Sequence, residues 1–106
     1  MFRLVKSDPV SEFDMRSHHE TGRLRNANPC LRCGLSVFQT VEDAQSQFGL
    51  MPQLGGKIAE GEIKPSHGKA CLTSGSQPTH TTWWPREGVN RAALFAVIME
   101  VPLCGT

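Results

Sequence analysis

Leu35-Ser36-Val37-Phe38-Gln39-Thr40-Val41-Glu42-Asp43-Ala44 changes its hydrophobic period at Thr40. Leu35 to Gln39 reads as a short strand. Thr40 is a helix-capping residue, and Glu42 and Asp43 set negative charge against the positive end of the helix dipole. Val41, Ala44 and Phe48 then fall at i, i+3 and i+7 and form one apolar helical face. Pro52 and Gly55-Gly56 end that helix. A strand therefore feeds directly into a helix at the centre of the chain.

Upstream, Phe2-Arg3-Leu4-Val5-Lys6 alternates apolar and polar side chains and predicts a first, half-buried strand. Asp8 is a good N-cap and Pro9 suits a first helical position, which predicts a helix to about Glu20. Val10, Phe13 and Ser17 share its face, and Gly22 is its stop. Residues 22–34 have no periodicity, carry Arg23, Arg25 and Arg32, and read as loop.

Downstream, Lys57 to Ile63 predicts a third strand, with Ala59, Gly61 and Ile63 on one side and Glu60 and Glu62 on the other. Lys69 to Thr73 and His80 to Trp84 predict two more strands, split by the loop Ser74-Gly75-Ser76-Gln77-Pro78. Ala92 to Met99 fits a buried helix. The β-branched Val97, Ile98 and Val101 favour instead a short turn near 86–92 and a strand from Leu94 to Val101. The order β-α-β-α followed by strands predicts an α+β domain. Two helices pack on one side of a mixed or mainly antiparallel sheet of about five strands, in a single domain spanning residues 1–106.

Eleven Lys+Arg against ten Asp+Glu leave a formal charge of +1, which argues against a general nucleic-acid binder. No apolar run approaches the ~20 residues needed to cross a bilayer, so no membrane association is expected. Met1 to Ser7 lacks a basic segment followed by an apolar run, so no export signal is expected. A cytoplasmic location with reduced thiols at Cys30, Cys33, Cys71 and Cys104 follows.

Cys30-x-x-Cys33 has the spacing of half a zinc site, but a structural site needs four ligands and no second such pair exists. No metal site is assigned, and a zinc-stabilised interaction module is kept as an alternative. Adjacent His18 and His19 point about 100° apart on a helix and suit its C-terminal dipole better than one ion. Glu60-x-Glu62 reads as the solvent face of a strand, although paired carboxylates also support acid–base chemistry. No nucleophile elbow, HExxH, kinase or EF-hand signature is present.

His80-x-x-Trp83-Trp84 is the most unusual cluster. On a strand, His80, Thr82 and Trp84 share one face and Trp83 takes the other, so one indole is free to line a pocket or an interface. Arg23 and Arg32 supply planar guanidinium groups suited to anions. A cleft between the first helix, the Arg-rich loop and the His80–Trp84 strand is therefore the expected site. Its ligand-binding residues are Arg23, Arg32, His80 and Trp84. Its partner is a small anionic or aromatic molecule or a protein. No catalytic residue and no cofactor are assigned. An exposed sheet edge or an uncovered Trp would favour a homodimer.

Phe2-Arg3-x-Val5-Lys6-Ser7-Asp8-Pro9, Ser17-His18, Gly34-Leu35-Ser36-Val37-Phe38, Ile58-Ala59-Glu60 and His80-x-Thr82-x-Trp84 together resemble small bacterial orphan proteins carried on mobile DNA, of the integron gene cassette type. That resemblance implies a compact bacterial protein and assigns no activity. Arg3, Ser36 and Glu60-x-Glu62, in that order, are similar to one branch of the ADP-ribosyltransferases. The likeness implies an alternative function as an NAD-binding enzyme. Arg3 would support the NAD site, Ser36 would order it and Glu62 would be catalytic.

Overall fold

The computed structural model describes residues 1–22 and 29–101, with Pro29 and Arg32 described by backbone alone. Its strands are β1 (Phe2–Val5), β2 (Leu35–Phe38), β3 (Lys57–Gly61), β4 (Gly68–Leu72), β5 (His80–Pro85) and β6 (Phe95–Glu100). Its α-helices are α1 (His18–Thr21), α2 (Pro29–Arg32) and α3 (Val41–Leu50). The six strands form one open sheet in the order β4-β5-β2-β1-β3-β6, and every pairing is antiparallel. The fold is α+β, with one strand more than the sequence suggests.

The Thr40 signal works as its chemistry demands. The Thr40 hydroxyl accepts from the Asp43 amide at 3.2 Å and opens α3. Ala44, fully buried, packs with Leu4, Phe38 and Ile58, and Val41 and Phe48 flank them. This is the expected apolar face of the helix, laid on β1, β2 and β3. Asp43 also accepts from the Thr79 amide at 2.9 Å, which ties α3 to the entrance of β5.

The opposite sheet face carries Val5, Leu35, Val37, Ala59, Trp83 and Phe95. Among the described residues no long helix covers it. Met15 and Ala92, in the 3-10 turns Phe13–Met15 and Arg91–Leu94, and Val10 and Val89, in the segments that precede those turns, close it. Each large aliphatic buried in these two layers contributes about 1.5–3 kcal/mol.

The helix expected from Pro9 to about Glu20 is split. Asp14 is the reason. Its carboxylate accepts from the amides of Lys6 at 2.8 Å and Ser11 at 3.0 Å, so the side chain satisfies donors that a helix would have to satisfy. The Asp8–Pro9 bond is cis, and residues 6–9 are bends. A helix does form at His18–Thr21, under a reciprocal cap between Ser17 and Glu20, and ends at Gly22 as expected.

Residues 29–32, read from sequence as loop, form the single turn α2. Pro29 occupies its first position, where the missing N–H costs nothing. On β6 the 3-10 turn Arg91–Leu94 precedes the strand, so the strand reading of the ambiguous apolar run holds. Ile58 lies opposite Met99 and Ala59 opposite Val97, so Ile98 is an extra residue that bulges this edge.

Candidate functional site

The register Leu35↔Trp83, Ser36↔Thr82, Phe38↔His80 sorts the side chains of β2 and β5. Ser36, Phe38, His80, Thr82 and Trp84 share the face that α3 occupies further along the sheet. Trp83 points the other way. It is fully buried, and its indole N–H donates to the His67 carbonyl at 3.2 Å.

Trp84 is half-buried, and its N–H donates to the Cys30 carbonyl of α2 at 2.8 Å. Short α2 is thereby held on the same side of the sheet as α3. Gly34 makes this possible. A Cβ there would collide with the Thr82 methyl group and meet the Trp84 indole nitrogen at 3.1 Å.

His80 is fixed on four sides. Its Nδ1 lies 3.0 Å from the Thr73 hydroxyl and 3.4 Å from the Thr73 carbonyl. Its Nε2 lies 3.0 Å from the Ser36 hydroxyl. The Phe38 ring meets it edge-on at 5.7 Å between centroids. Gly75 presses on the ring so closely that a Cβ there would come within 2.6 Å of Cγ. Thr73 passes the network on to the Thr82 hydroxyl at 2.7 Å.

Ser36 is exposed although it lies in a central strand between buried Leu35 and Val37. α3 stops short of it. Its backbone is anchored from the other side, because Arg3 Nη1 donates to the Ser36 carbonyl at 2.8 Å and Arg3 Nε to the Asp14 carbonyl at 3.0 Å. Desolvation draws the Arg3 pKa down to about 10 against the attraction of Asp14, so the guanidinium stays cationic at neutral pH.

Of the four sequence-predicted ligand residues, His80 and Trp84 fall on one face, four positions apart with Thr82 midway between them. Arg23 lies outside the described residues, as does the side chain of Arg32. Ser36 and Thr73 complete the cluster. Ser36 carries a functional role in the sequence only through the NAD-binding resemblance, and Thr73 carries none. The missing signal is the pairing of β2 with β5, which joins residues 44 apart.

Arg3 and Ser36 are in contact, through the Ser36 carbonyl. Glu60 pairs with Phe2 in register, so its side chain leaves the sheet on the face opposite Arg3, which pairs with Ala59. Glu60 and Glu62 line an open cleft of about 680 Å³ with Met1 and Gln39. A second cleft, about 290 Å³, is bounded by Arg16, Glu20 and Arg91. Neither reaches His80 or Trp84.

Cys30, Cys33 and Cys71 are exposed and form no disulfide with one another, and Cys104 lies outside the described residues. Among the described residues no group of three or more His, Cys, Asp or Glu is placed to hold a metal ion. None of the described helices is long and apolar enough to cross a membrane. In comparisons with known proteins, no family model, curated protein or solved structure matches the chain.

Proposed function

We propose that the chain is a small binding protein whose ligand rests on the face of β2 and β5 between Ser36, His80 and Trp84. The observation that carries this reading is the exposure of Ser36 in the middle of a central strand, beside an imidazole braced by Thr73. A polar hydroxyl and a half-exposed indole on one rigid sheet suit a planar ligand, stacked on Trp84 and hydrogen-bonded to Ser36. Both His80 nitrogens already have partners. His80 therefore orients the Ser36 hydroxyl, and its own contact with the ligand runs through that hydroxyl.

The test is a screen of planar small molecules by thermal shift and tryptophan fluorescence on the full chain. Hits should weaken about tenfold in S36A and in W84F, the scale of one lost hydrogen bond or stacking contact. Hits that keep their affinity in both folded variants would remove the assignment.

Self-association is a second reading, favoured by β4. That strand closes one edge of the sheet, and Lys69, Ala70, Cys71 and Leu72 are all exposed. The opposite edge, β6, is protected by its bulge, whereas β4 is regular. Light scattering across a concentration series decides it. A monomer throughout would exclude pairing of two copies along β4.

A further inference from the structure

We propose that Ser36 is a nucleophile toward activated esters and fluorophosphonates, with His80 as its base, an inference that rests on the reading of this face as the ligand site. An activated serine needs its hydroxyl within hydrogen-bond reach of a base, and the base held in turn by a third group. Ser36 Oγ lies 3.0 Å from His80 Nε2, and Nδ1 lies 3.0 Å from the Thr73 hydroxyl and 3.4 Å from the Thr73 carbonyl.

We take the tautomer with the ring proton on Nδ1, which faces the Thr73 carbonyl, a group that only accepts. Nε2 is then the free base, and the Ser36 hydroxyl donates to it. Gly75 and Phe38 hold the ring plane, and the pairing with Thr82 and the Arg3 bond hold the Ser36 backbone. Ser36 is exposed, so a reacting centre can approach its oxygen.

With an aryl ester, Ser36 Oγ bonds to the acyl carbon while its proton passes to His80 Nε2. The bond from that carbon to the aryloxide breaks, and Nε2 returns the proton to the leaving oxygen. Water, activated in the same way, then releases the acid and restores Ser36. Trp84, on the same face, offers a flat surface to the aryl group. Base assistance of this kind gives about 10²–10⁴-fold, which sets the expected scale.

The test is labelling of the full chain with a fluorophosphonate probe, mapped by mass spectrometry. The Ser36 oxygen bonds to phosphorus, fluoride leaves, and the proton passes through His80 to solvent. One label at Ser36 is expected, absent in S36A and about a hundredfold slower in H80Q. Labelling spread evenly over other serines, or an unchanged rate in folded H80Q, overturns the proposal. Should H80Q fail to fold, wild-type protein in buffer and in urea decides, because Ser36 must react faster in the folded chain. Planar ligands that quench Trp84 without any Ser36 labelling sink the nucleophile and leave the binding site. Labelling that no Trp84-quenching ligand slows leaves the nucleophile and sinks the binding site.

Discussion

Glu20 and Arg91, 71 residues apart in the chain, meet through an ion pair of 2.6 Å. The same guanidinium nitrogen donates to the Met15 carbonyl at 2.9 Å, and the same carboxylate oxygen accepts from the Ser17 amide. One bond thus joins the α1 cap to the turn that leads into β6. Because both side chains are partly exposed, R91A should cost only about 1 kcal/mol in urea unfolding at neutral pH, with an unchanged m-value.

Acid should weaken the N-terminal segment first. Burial pushes the Asp14 carboxyl up, but the amides of Ser11 and Lys6 and the hydroxyls of Ser11 and Ser7 outweigh it, and its pKa lies below the usual value. Glu20 shifts the same way, with burial opposed by Arg91 and Ser17. Both groups bind protons more weakly folded than unfolded. Their stabilisation is therefore complete above the ordinary carboxylate range of about 4 and is lost as pH falls through the lower folded values. D14N should cost about 1–2 kcal/mol at pH 7, because an amide presents a donor to one of the two backbone N–H groups. It should also flatten the acid limb of stability against pH.

The two tryptophans should separate cleanly. Trp83 has no exposed surface and fills the layer with Phe95, 6.0 Å away between ring centroids. W83A should cost about 3–5 kcal/mol, and W84F about 1 kcal/mol for the lost bond to Cys30. Single-tryptophan variants give the check in solution. The Trp83 emission should be blue-shifted and resist acrylamide, and the Trp84 emission should be quenched.

G34A tests the packing beneath α2. The new methyl group meets the Thr82 side chain and the Trp84 ring nitrogen, both within a paired sheet with little room to give. A loss of about 1–3 kcal/mol is expected in thermal unfolding, together with loss of Ser36 labelling.

Much of the architecture is legible in local patterns. Thr40 with Asp43, the triplet Val41, Ala44 and Phe48, and the alternation of His80, Thr82 and Trp84 against Trp83 each act within one element. The signal at Asp8-Pro9 fails because a residue beyond it, Asp14, captures the amides of Lys6 and Ser11. The cluster at Ser36 is illegible for a different reason. Its three partners come from β2, β5 and the start of the loop after β4, and no residue pattern within one strand reports which strand lies beside it.

The N-terminal strand sits in the interior of the sheet and is the strand that joins β4-β5-β2 on one side to β3-β6 on the other. Toward β3 it pairs along its whole length, from Phe2 opposite Glu60 to Val5 opposite Lys57, but toward β2 the register is Phe2 opposite Phe38 alone. The Arg3 guanidinium, reaching the Ser36 carbonyl, is a stitch across that seam. Breathing of the molecule should begin there, with two leaflets parting between β1 and β2 while each stays intact. Amide exchange would then be faster at the seam than along β3 and β6, and R3K, which removes the forked donor, would quicken it.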